Sequence, residues 1–590
     1  MASHRTFAEL MIERAAHDPD RVALLLLPDS DEHGRPHSVS YRSLDASARA
    51  LAGWLQERGA VGGRVLLLHT SRSQFAVSFL ACLYAGAIAV PAPPTGGRSH
   101  HAARIAGIVK DAAACAVLTD AALAPDVSRL LAECGQGGLP CLAADAHPGG
   151  GNWELPRLTE DSVAYLQYTS GSTGRPRGVM VTHGNLLANQ EAIGALLSTG
   201  PDDRVGGWLP YHHDMGLVGQ LLHPLWAGGT SVALSPAAFV RRPARWPEAV
   251  SRYGITVSGA PDFAYDLCAR RTTPEQAAAM DLSGWRAAVI GGEPVRLDTA
   301  RAFTERFAPA GLRPGTLFSC YGLAEATLLV SGARVPLTPE GEPHGLAVES
   351  AALERNVLKR YAPDAGRPSH DLLPLGSPAA PAAPAIRVVD PVSRSALPDG
   401  TIGEIWVRGP AVSPGYWRDR GHDGSVFGAT TAQEETGYLR TGDLGTLEDG
   451  QLYVTGRIKE MIVVSGRNLY PQDLEQTLHE VSSLFGAGTA FAIPGERERV
   501  VVVQELRTHQ RYALDLAELA QDVRRRLTEE FDVPVAGVLL VRPGTVRHTS
   551  SGKVERTEMR RLFLSGAIQP LYQHLEAEPA RTGPREGSTV

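Results

Sequence analysis

Thr169-Ser170-Gly171-Ser172-Thr173-Gly174-Arg175-Pro176-Arg177-Gly178 is the stretch around which the rest of this 590-residue chain is organised. Val163 to Tyr168 before it and Gly178 to His183 after it both read as strands. Between them, glycines let backbone N–H groups approach a ligand closely, hydroxyls donate hydrogen bonds, and an arginine fork matches phosphate oxygens, so the composition suits a polyphosphate. Flexible Gly/Ser/Thr linkers have a similar composition, but strand-like flanks hold this loop in place. No Gly-x-x-x-x-Gly-Lys-Ser/Thr pattern is present, and strand–loop–strand differs from the strand–loop–helix of the NTPases that carry it.

Length implies more than one core. The formal net charge of -7 leaves no global basic field to recruit nucleic acid or anionic lipid. The apolar run Val22 to Leu27 is too short to span a bilayer or to act as a secretory core, which predicts a cytoplasmic protein with no membrane span. Cys82, Cys115, Cys134, Cys141, Cys268 and Cys320 are dispersed, with neither a zinc pattern nor a disulfide framework, and read as buried reduced thiols. Of 57 basic residues only Lys110, Lys359, Lys459 and Lys553 are lysine. Those four mark candidate places where a compact ammonium cannot be replaced by a planar guanidinium.

Along the chain, a helix over residues 40–60, a strand over Arg64–His69, a helix over Ser73–Tyr84, a strand over Ala87–Val90 and another over Ala114–Thr119 alternate. This predicts a parallel α/β sheet covered on both faces. A turn-rich stretch spans Cys134–Gly151, and a helix follows the loop over Asn185–Leu197. Residues 333–385 accumulate Pro and Ala, with an isolated helix predicted over Glu349–Arg360. Short strands at Ala385–Asp390, Gly403–Arg408 and Gly450–Val454 predict a small antiparallel unit. From Lys459 onward the pattern is that of a compact α+β unit, and residues 571–590 read as a disordered tail.

Four further motifs carry candidate chemistry. Tyr211-His212-His213-Asp214-Met215-Gly216-Leu217 lacks a third metal ligand at sensible spacing, and its residues leave a substrate gate and a satisfied core histidine equally open. Gly291-Gly292-Glu293-Pro294 is a glycine turn after a strand. In Ser319-Cys320-Tyr321-Gly322-Leu323-Ala324-Glu325, an aromatic beside glycine can stack on a purine and a carboxylate four residues later can hold magnesium, although packing and a solvated charge are the plain alternatives. Thr441-Gly442-Asp443 offers a carboxylate able to accept two ribose hydroxyls, or an ordinary turn aspartate.

Taken in order from residue 163 to residue 556, these motifs resemble the adenylate-forming (acyl-activating) superfamily. The wording Trp208-Leu209-Pro210, His213-Asp214-Met215-Gly216-Leu217, Tyr321 to Gly332 and Gly466-Arg467-Asn468-Leu469-Tyr470-Pro471 is most similar to fatty acyl-AMP ligases. The resemblance implies a large multi-subdomain N-terminal domain over 1–458, with parallel α/β sheets and the small antiparallel unit. A small mobile C-terminal lid over 459–570 turns on a hinge at Lys459, and residues 333–375 stand where those enzymes carry an insertion. It implies ATP and Mg2+ as cofactors, a fatty acid as substrate, and transfer to the phosphopantetheine of a separate acyl carrier protein, as in lipopeptide or polyketide initiation. An acyl-CoA synthetase of the same fold is the nearest rival. By the same resemblance, Thr169, Ser170, Gly171, Ser172, Thr173, Gly174 and Arg177 clamp phosphates, where relatives usually have lysine at 177. Gly291, Gly292, Glu293, Pro294, Ser319, Tyr321 and Gly322 lie along the adenine, with Ser319 where many relatives have an amide or carboxylate. Asp443 and Arg457 hold the ribose, Glu325 coordinates the metal, His213 lies near the substrate carboxylate, and Lys553 is the catalytic lysine.

Overall fold

The computed structural model describes residues 4–29, 34–94, 99–147, 152–169, 176–361, 369–377, 384–418, 423–464, 467–493, 499–507, 514–531, 533–549 and 552–576. They fall into two compact units that divide between Ile458 and Lys459.

The first unit is built on two largely parallel sheets. One has six strands in the order Cys141–Ala143, Ala116–Thr119, Arg64–Leu68, Ile88–Pro91, Val163–Thr169 and Arg177–Thr182. Its neighbours run parallel except for the last pair, which is antiparallel. The loop quoted at the outset therefore joins two adjacent strands, as its flanks predict. Val65 to Leu68 are fully buried, as expected for a strand covered on both faces. The next helix, Arg72–Ala85, is buried on all sides from Phe75 onward; Ser71 caps its start and Gly86, at φ 68°, its end.

The second sheet has eight strands. Leu317–Gly322, Ala287–Gly291, Val257–Ala260, Arg204–Gly207, Thr230–Ala233 and Val22–Leu26 run parallel, flanked by antiparallel edge strands Leu329–Arg334 and His37–Ser40. The glycine turn after Gly291 and the Tyr321 motif thus stand at the carboxyl ends of neighbouring parallel strands, where open α/β sheets place their ligands.

Four antiparallel strands form the small unit: Ala385–Val389, Gly403–Arg408, Leu439–Glu448 and Gln451–Arg457. Sequence periodicity gives only three of them. Gly442, at φ 70°, and Gly445 interrupt the alternation of the fourth, whose pairing shifts register between Leu444 and Gly445. A side chain at Gly445 would meet the Tyr453 carbonyl at 2.4 Å, which explains the glycine.

Three sequence expectations are corrected. The helix expected over Glu349–Arg360 is a single turn, Ser350–Leu353. Leu346–Glu349 is instead a strand antiparallel to Ser369–Leu372, and Asn356, at φ 60°, prevents the helix from continuing. The tail expected from residue 571 contributes an edge strand, Tyr572–Leu575, to the second unit's sheet, and Glu576 ion-pairs with Arg524 at 2.5 Å; residues 577–590 lie outside the described residues. Cys82 and Cys268 are buried free thiols, but Cys115, just ahead of the strand Ala116–Thr119, is exposed.

In the second unit, Phe485–Ile493, Arg499–Leu506, Val535–Val541 and Tyr572–Leu575 form a mixed sheet, with helices Pro471–Val481, Leu516–Phe531 and Arg556–Leu564. Leu474, Leu478, Val523 and Leu527 bury the apolar faces of the first two helices against Val500, Val502, Val538 and Leu540. Among the described residues, no helix is long and apolar enough to cross a membrane.

Candidate active site

Arg177 opens the return strand of the loop, directly opposite Thr169. Ser170, Gly171, Ser172, Thr173 and Gly174 lie outside the described residues. The segment Ser413 to Trp417 runs along this strand, with Met180 N–H donating to the Gly415 carbonyl at 3.0 Å and Trp417 N–H to that of Gly178 at 2.7 Å. It sets the Tyr416 ring under the Arg177 guanidinium, 5.3 Å from the ring centre. The Tyr416 hydroxyl donates to Glu325 Oε1 at 2.8 Å. Glu325 sits in the short turn Ala324–Ala326, locked by the Ser413 N–H on its carbonyl at 2.9 Å and by Thr327, held at φ 68° with its hydroxyl on the Ala411 carbonyl. Burial pushes the Glu325 carboxyl above the usual carboxylate range; the Tyr416 bond opposes that, as does the charge of Arg457, while Asp443 adds to it.

Asp443 faces Arg457 across two strands of the antiparallel unit. Arg457 Nε donates to Asp443 Oδ1 at 2.6 Å and the Tyr321 hydroxyl to Oδ2 at 2.7 Å. Asp443 is 3 % exposed and so belongs to a strand interior, which excludes the turn-aspartate reading. Each of its oxygens keeps a lone pair for a further donor. Burial, followed by the Asp443 charge, drives the Tyr321 phenol far up, so it stays a neutral donor.

Gly292 has φ 81°, which lets the chain turn sharply after the strand Ala287–Gly291. The neighbouring Glu293 carboxylate accepts the Phe263 N–H at 2.7 Å and so caps the helix Asp262–Arg271. Ser319 is fully buried and its hydroxyl donates to the Pro374 carbonyl at 2.5 Å. Two residues ahead of Tyr321 on a pleated strand, Ser319 shares a face with it, and its hydroxyl proton is engaged by the chain. Gly322 admits no side chain, since a Cβ would lie 1.9 Å from the Leu328 carbonyl.

His213 precedes a π-helical turn, Met215–Leu222, an uncommon element that concentrates at functional sites. Its ring lies 4.5 Å from that of His212, whose carbonyl accepts Gln167 Nε2–H at 2.9 Å. Lys459 and Lys553 both belong to the second unit. Lys553 lies in a narrow loop, with its N–H on Thr549 Oγ1 at 3.1 Å and its carbonyl accepting the Thr549 N–H at 2.7 Å.

Comparison with known proteins decides the lineage. Residues 11–417 match the family model described as "AMP-binding enzyme". The chain belongs to the AMP-binding enzyme family. Its relatives within that family include the medium-chain-fatty-acid–[acyl-carrier-protein] ligase JamA of Moorena producens, 38% identical over 95% of this chain and 96% of that protein. The long-chain-fatty-acid–AMP ligase FadD26 of Mycobacterium marinum is 35% identical, covering 94% of this chain and 96% of its own length. Among solved structures, the fatty acyl-adenylate ligase of L. pneumophila in complex with acyl adenylate and pyrophosphate aligns with a TM-score of 0.73 and 31% identity, over 97% of this chain and 98% of that one.

As an AMP-binding enzyme, the chain brings Arg177, Glu325, Tyr321, Asp443 and Arg457 into one neighbourhood of the first unit: Arg177, Tyr416 and Glu325 form one chain of contacts, and Asp443 and Arg457 act on the Glu325 carboxyl. Sequence reading missed Tyr416. Its signal was the glycine–aromatic pair Gly415-Tyr416, but nothing in spacing ties it to a glutamate 91 positions earlier. The site's donor set also fits a magnesium ion. No group of three or more His, Cys, Asp or Glu able to cage a metal exists among the described residues. Mg2+ is commonly held by one or two carboxylates with substrate phosphates completing its shell, and the buried Glu325 carboxyl is of that kind.

Proposed function

We propose that this enzyme is a fatty acyl-AMP ligase that activates a fatty acid with ATP and passes the acyl group to the phosphopantetheine thiol of a separate acyl carrier protein. The observation that carries the reading is a pair of networks in the first unit: Arg177–Tyr416–Glu325, which links a guanidinium to a buried carboxyl, and Tyr321–Asp443–Arg457, which fixes a second carboxylate. A phosphate ligand, a carboxylate suited to a metal and a ribose-ready aspartate are what an ATP site needs together. The names borne by the relatives, which act on fatty acids and a carrier protein, support the acyl side.

A fatty carboxylate oxygen attacks the α-phosphorus, the bond to the bridging oxygen of the β-phosphate breaks, and pyrophosphate leaves with the electron pair. The product is a mixed acyl–phosphate anhydride. A carrier thiol, giving up its proton, then attacks the acyl carbon and AMP leaves with that bond's electrons. Thr169 to Arg177 hold the β- and γ-phosphates, Asp443 and Arg457 fix the ribose, and Tyr321 fixes Asp443. The Gly291-Gly292 turn leaves room for the base, and His213 lies at the mouth of the acyl site. Lys553 neutralises charge that peaks between carboxylate and α-phosphate. Bound at Glu325, Mg2+ would supply charge neutralisation on the phosphates. Such catalysis rests on positioning and preorganised electrostatics.

Residues 1–458 serve as the nucleotide- and acyl-binding domain and the second unit as a lid turning at Lys459. Residues 333–375 are the insertion, and the chain at its end is tied to the antiparallel sheet, with Leu375 N–H on the Leu452 carbonyl and Leu452 N–H on that of Gly376, both at 2.8 Å. The six unbonded cysteines support a cytoplasmic setting. Fatty-acid-dependent exchange of labelled pyrophosphate into ATP tests the first half-reaction. Exchange with no fatty acid, or none with any chain length, would contradict it.

A further inference from the structure

Arg556 begins the helix Arg556–Leu564, three residues past Lys553. Its guanidinium engages two carboxylates at once. Nε and Nη2 hold Glu475 Oε1 and Oε2 at 2.8 and 2.6 Å, and Nη1 holds Glu460 Oε2 at 2.7 Å. The side chains of Arg556, Glu475 and Glu460 are 18, 12 and 27 % exposed, so these are shielded, charge-assisted bonds rather than surface pairs. Each carboxylate marks a different element. Glu460 is one residue past Lys459, and Glu475 lies on the helix Pro471–Val481, where its Oε1 also accepts the Ala490 N–H from the sheet at 3.2 Å.

The lysine loop hangs from this knot. Glu555 N–H bonds the Arg547 carbonyl at 2.9 Å, His548 and Val554 form a β-bridge, and Thr549 takes both backbone groups of Lys553. These bonds tie the two described sides of the loop to each other, and its exit leads into Arg556. None of this is used by the chemistry described above.

We infer that Arg556 is a positioning residue for Lys553, fastening the lysine loop to Glu460 beside the hinge and to Glu475 on the first helix of the lid. Rotation at Lys459 then carries hinge, helix and lysine as one body, with no slack between the turning point and the reacting group. A planar fork with donors on three nitrogens in fixed directions can hold two carboxylates in this way; the three donors of an ammonium radiate from one nitrogen and cannot reproduce that fork. The inference rests on the assignment of Lys553 to adenylation.

The test uses the full chain with ATP, Mg2+ and a fatty acid, reading kcat and KM for ATP in pyrophosphate exchange, the melting temperature, and hydrogen–deuterium exchange of residues 545–556. Glu460→Gln leaves the Glu475 pair intact and so spares the fold. It is expected to lower kcat about tenfold with KM for ATP unchanged and faster exchange in the loop, and Arg556→Gln to lower kcat about a hundredfold, the scale of a reacting group misplaced by about 1 Å. Arg556→Lys is expected to stay near the Gln variant. Lys553→Ala, measured alongside, separates the two claims. If it abolishes exchange while Glu460→Gln and Arg556→Gln keep wild-type kcat, or Arg556→Lys restores kcat fully, the positioning role is overturned and the assignment of Lys553 stands. If Lys553→Ala itself retains kcat, that assignment fails and the positioning role with it. Should Arg556→Gln not fold, Glu460→Gln alone decides.

Discussion

Asp443 and Arg457 stand directly opposite each other on adjacent antiparallel strands, and the guanidinium Nε–H donates to the carboxylate at 2.6 Å. Their register fixes the pair before any ligand arrives, and the Tyr321 hydroxyl fixes the other carboxylate oxygen from a different sheet. In the function proposed above, this pair is the preorganised acceptor for the ribose.

Asp443→Asn keeps the size and loses the charge. Hydrogen bonds to a charged group are worth about 1.5–3 kcal/mol, so KM for ATP is expected to rise roughly tenfold to a hundredfold, with a smaller rise for Tyr321→Phe, which keeps the carboxylate and its Arg457 partner. Titration calorimetry with a non-hydrolysable ATP analogue checks it. Unchanged affinity in Asp443→Asn would remove this residue from the site.

Tyr416→Phe keeps the ring and removes the hydroxyl that donates to Glu325 Oε1. Losing a group that orients a metal-binding carboxylate lowers metal affinity by about tenfold or more. The Mg2+ concentration giving half-maximal adenylation should therefore rise by that factor while the melting temperature moves little. A Mg2+ dependence like that of the wild type would make Tyr416 a packing residue.

Arg177→Lys and Lys553→Arg are expected to diverge. The phosphate clamp accepts either cation, so Arg177→Lys should cost little. Lys553→Arg puts a broad fork where a point charge is needed and should cut adenylation by about a hundredfold or more, the effect of losing one transition-state donor. Pre-steady-state acyl-adenylate formation distinguishes them, and equal losses would mean that one of the two roles is misassigned.

Two buried imidazoles set the acid stability. His223 Nδ1 donates to Gln190 Oε1 at 2.7 Å and its Nε2 lies 2.8 Å from the Thr199 hydroxyl, which can donate to the neutral ring. Burial lowers its pKa to about 3, and that of His183, whose Nδ1 accepts the Phe7 N–H, to about 4. Below the ordinary value of 6.5 the unfolded chain binds protons that the folded chain refuses, so stability is intact above 6.5 and falls as pH drops towards 4. The sum is on the order of several kcal/mol. Asp120 acts lower: burial pushes its carboxyl up, but bonds from His69, Ser71 and Thr70 outweigh this and hold it at about 2. Its contribution is complete above 3.8 and lost below that value. Melting temperatures at neutral pH and near pH 4.5 test the histidine effect, and His223→Gln should flatten the slope. A melting temperature independent of pH across that window would contradict it.

Much of this was legible in the sequence where one element decides the pattern. Val163–Thr169 and Arg177–Thr182 are short, mostly buried runs that flank the loop as read, and Arg64–Leu68 followed by a capped helix announces a parallel sheet. What escaped depends on partners far along the chain. Leu439–Glu448 is a strand only because two neighbours bridge its glycines, and Tyr572–Leu575 is ordered only because Val535–Val541 offers an edge. Motif residues were found, but not which of their atoms are already engaged. Ser319 and Glu293 spend their polar groups on Pro374 and Phe263, partners that no local spacing reveals.

The central claim is that this chain makes an acyl-adenylate from a fatty acid and delivers it to a carrier protein. The direct measurement incubates the full chain with ATP, Mg2+ and a ladder of fatty acids, then adds either a phosphopantetheinylated acyl carrier protein or coenzyme A, with mass detection of all products. Acyl-adenylate at one range of chain lengths, discharged onto the carrier and not onto coenzyme A, is the expected result. Acyl-CoA as the main product, or no acyl-adenylate at any chain length, would contradict it.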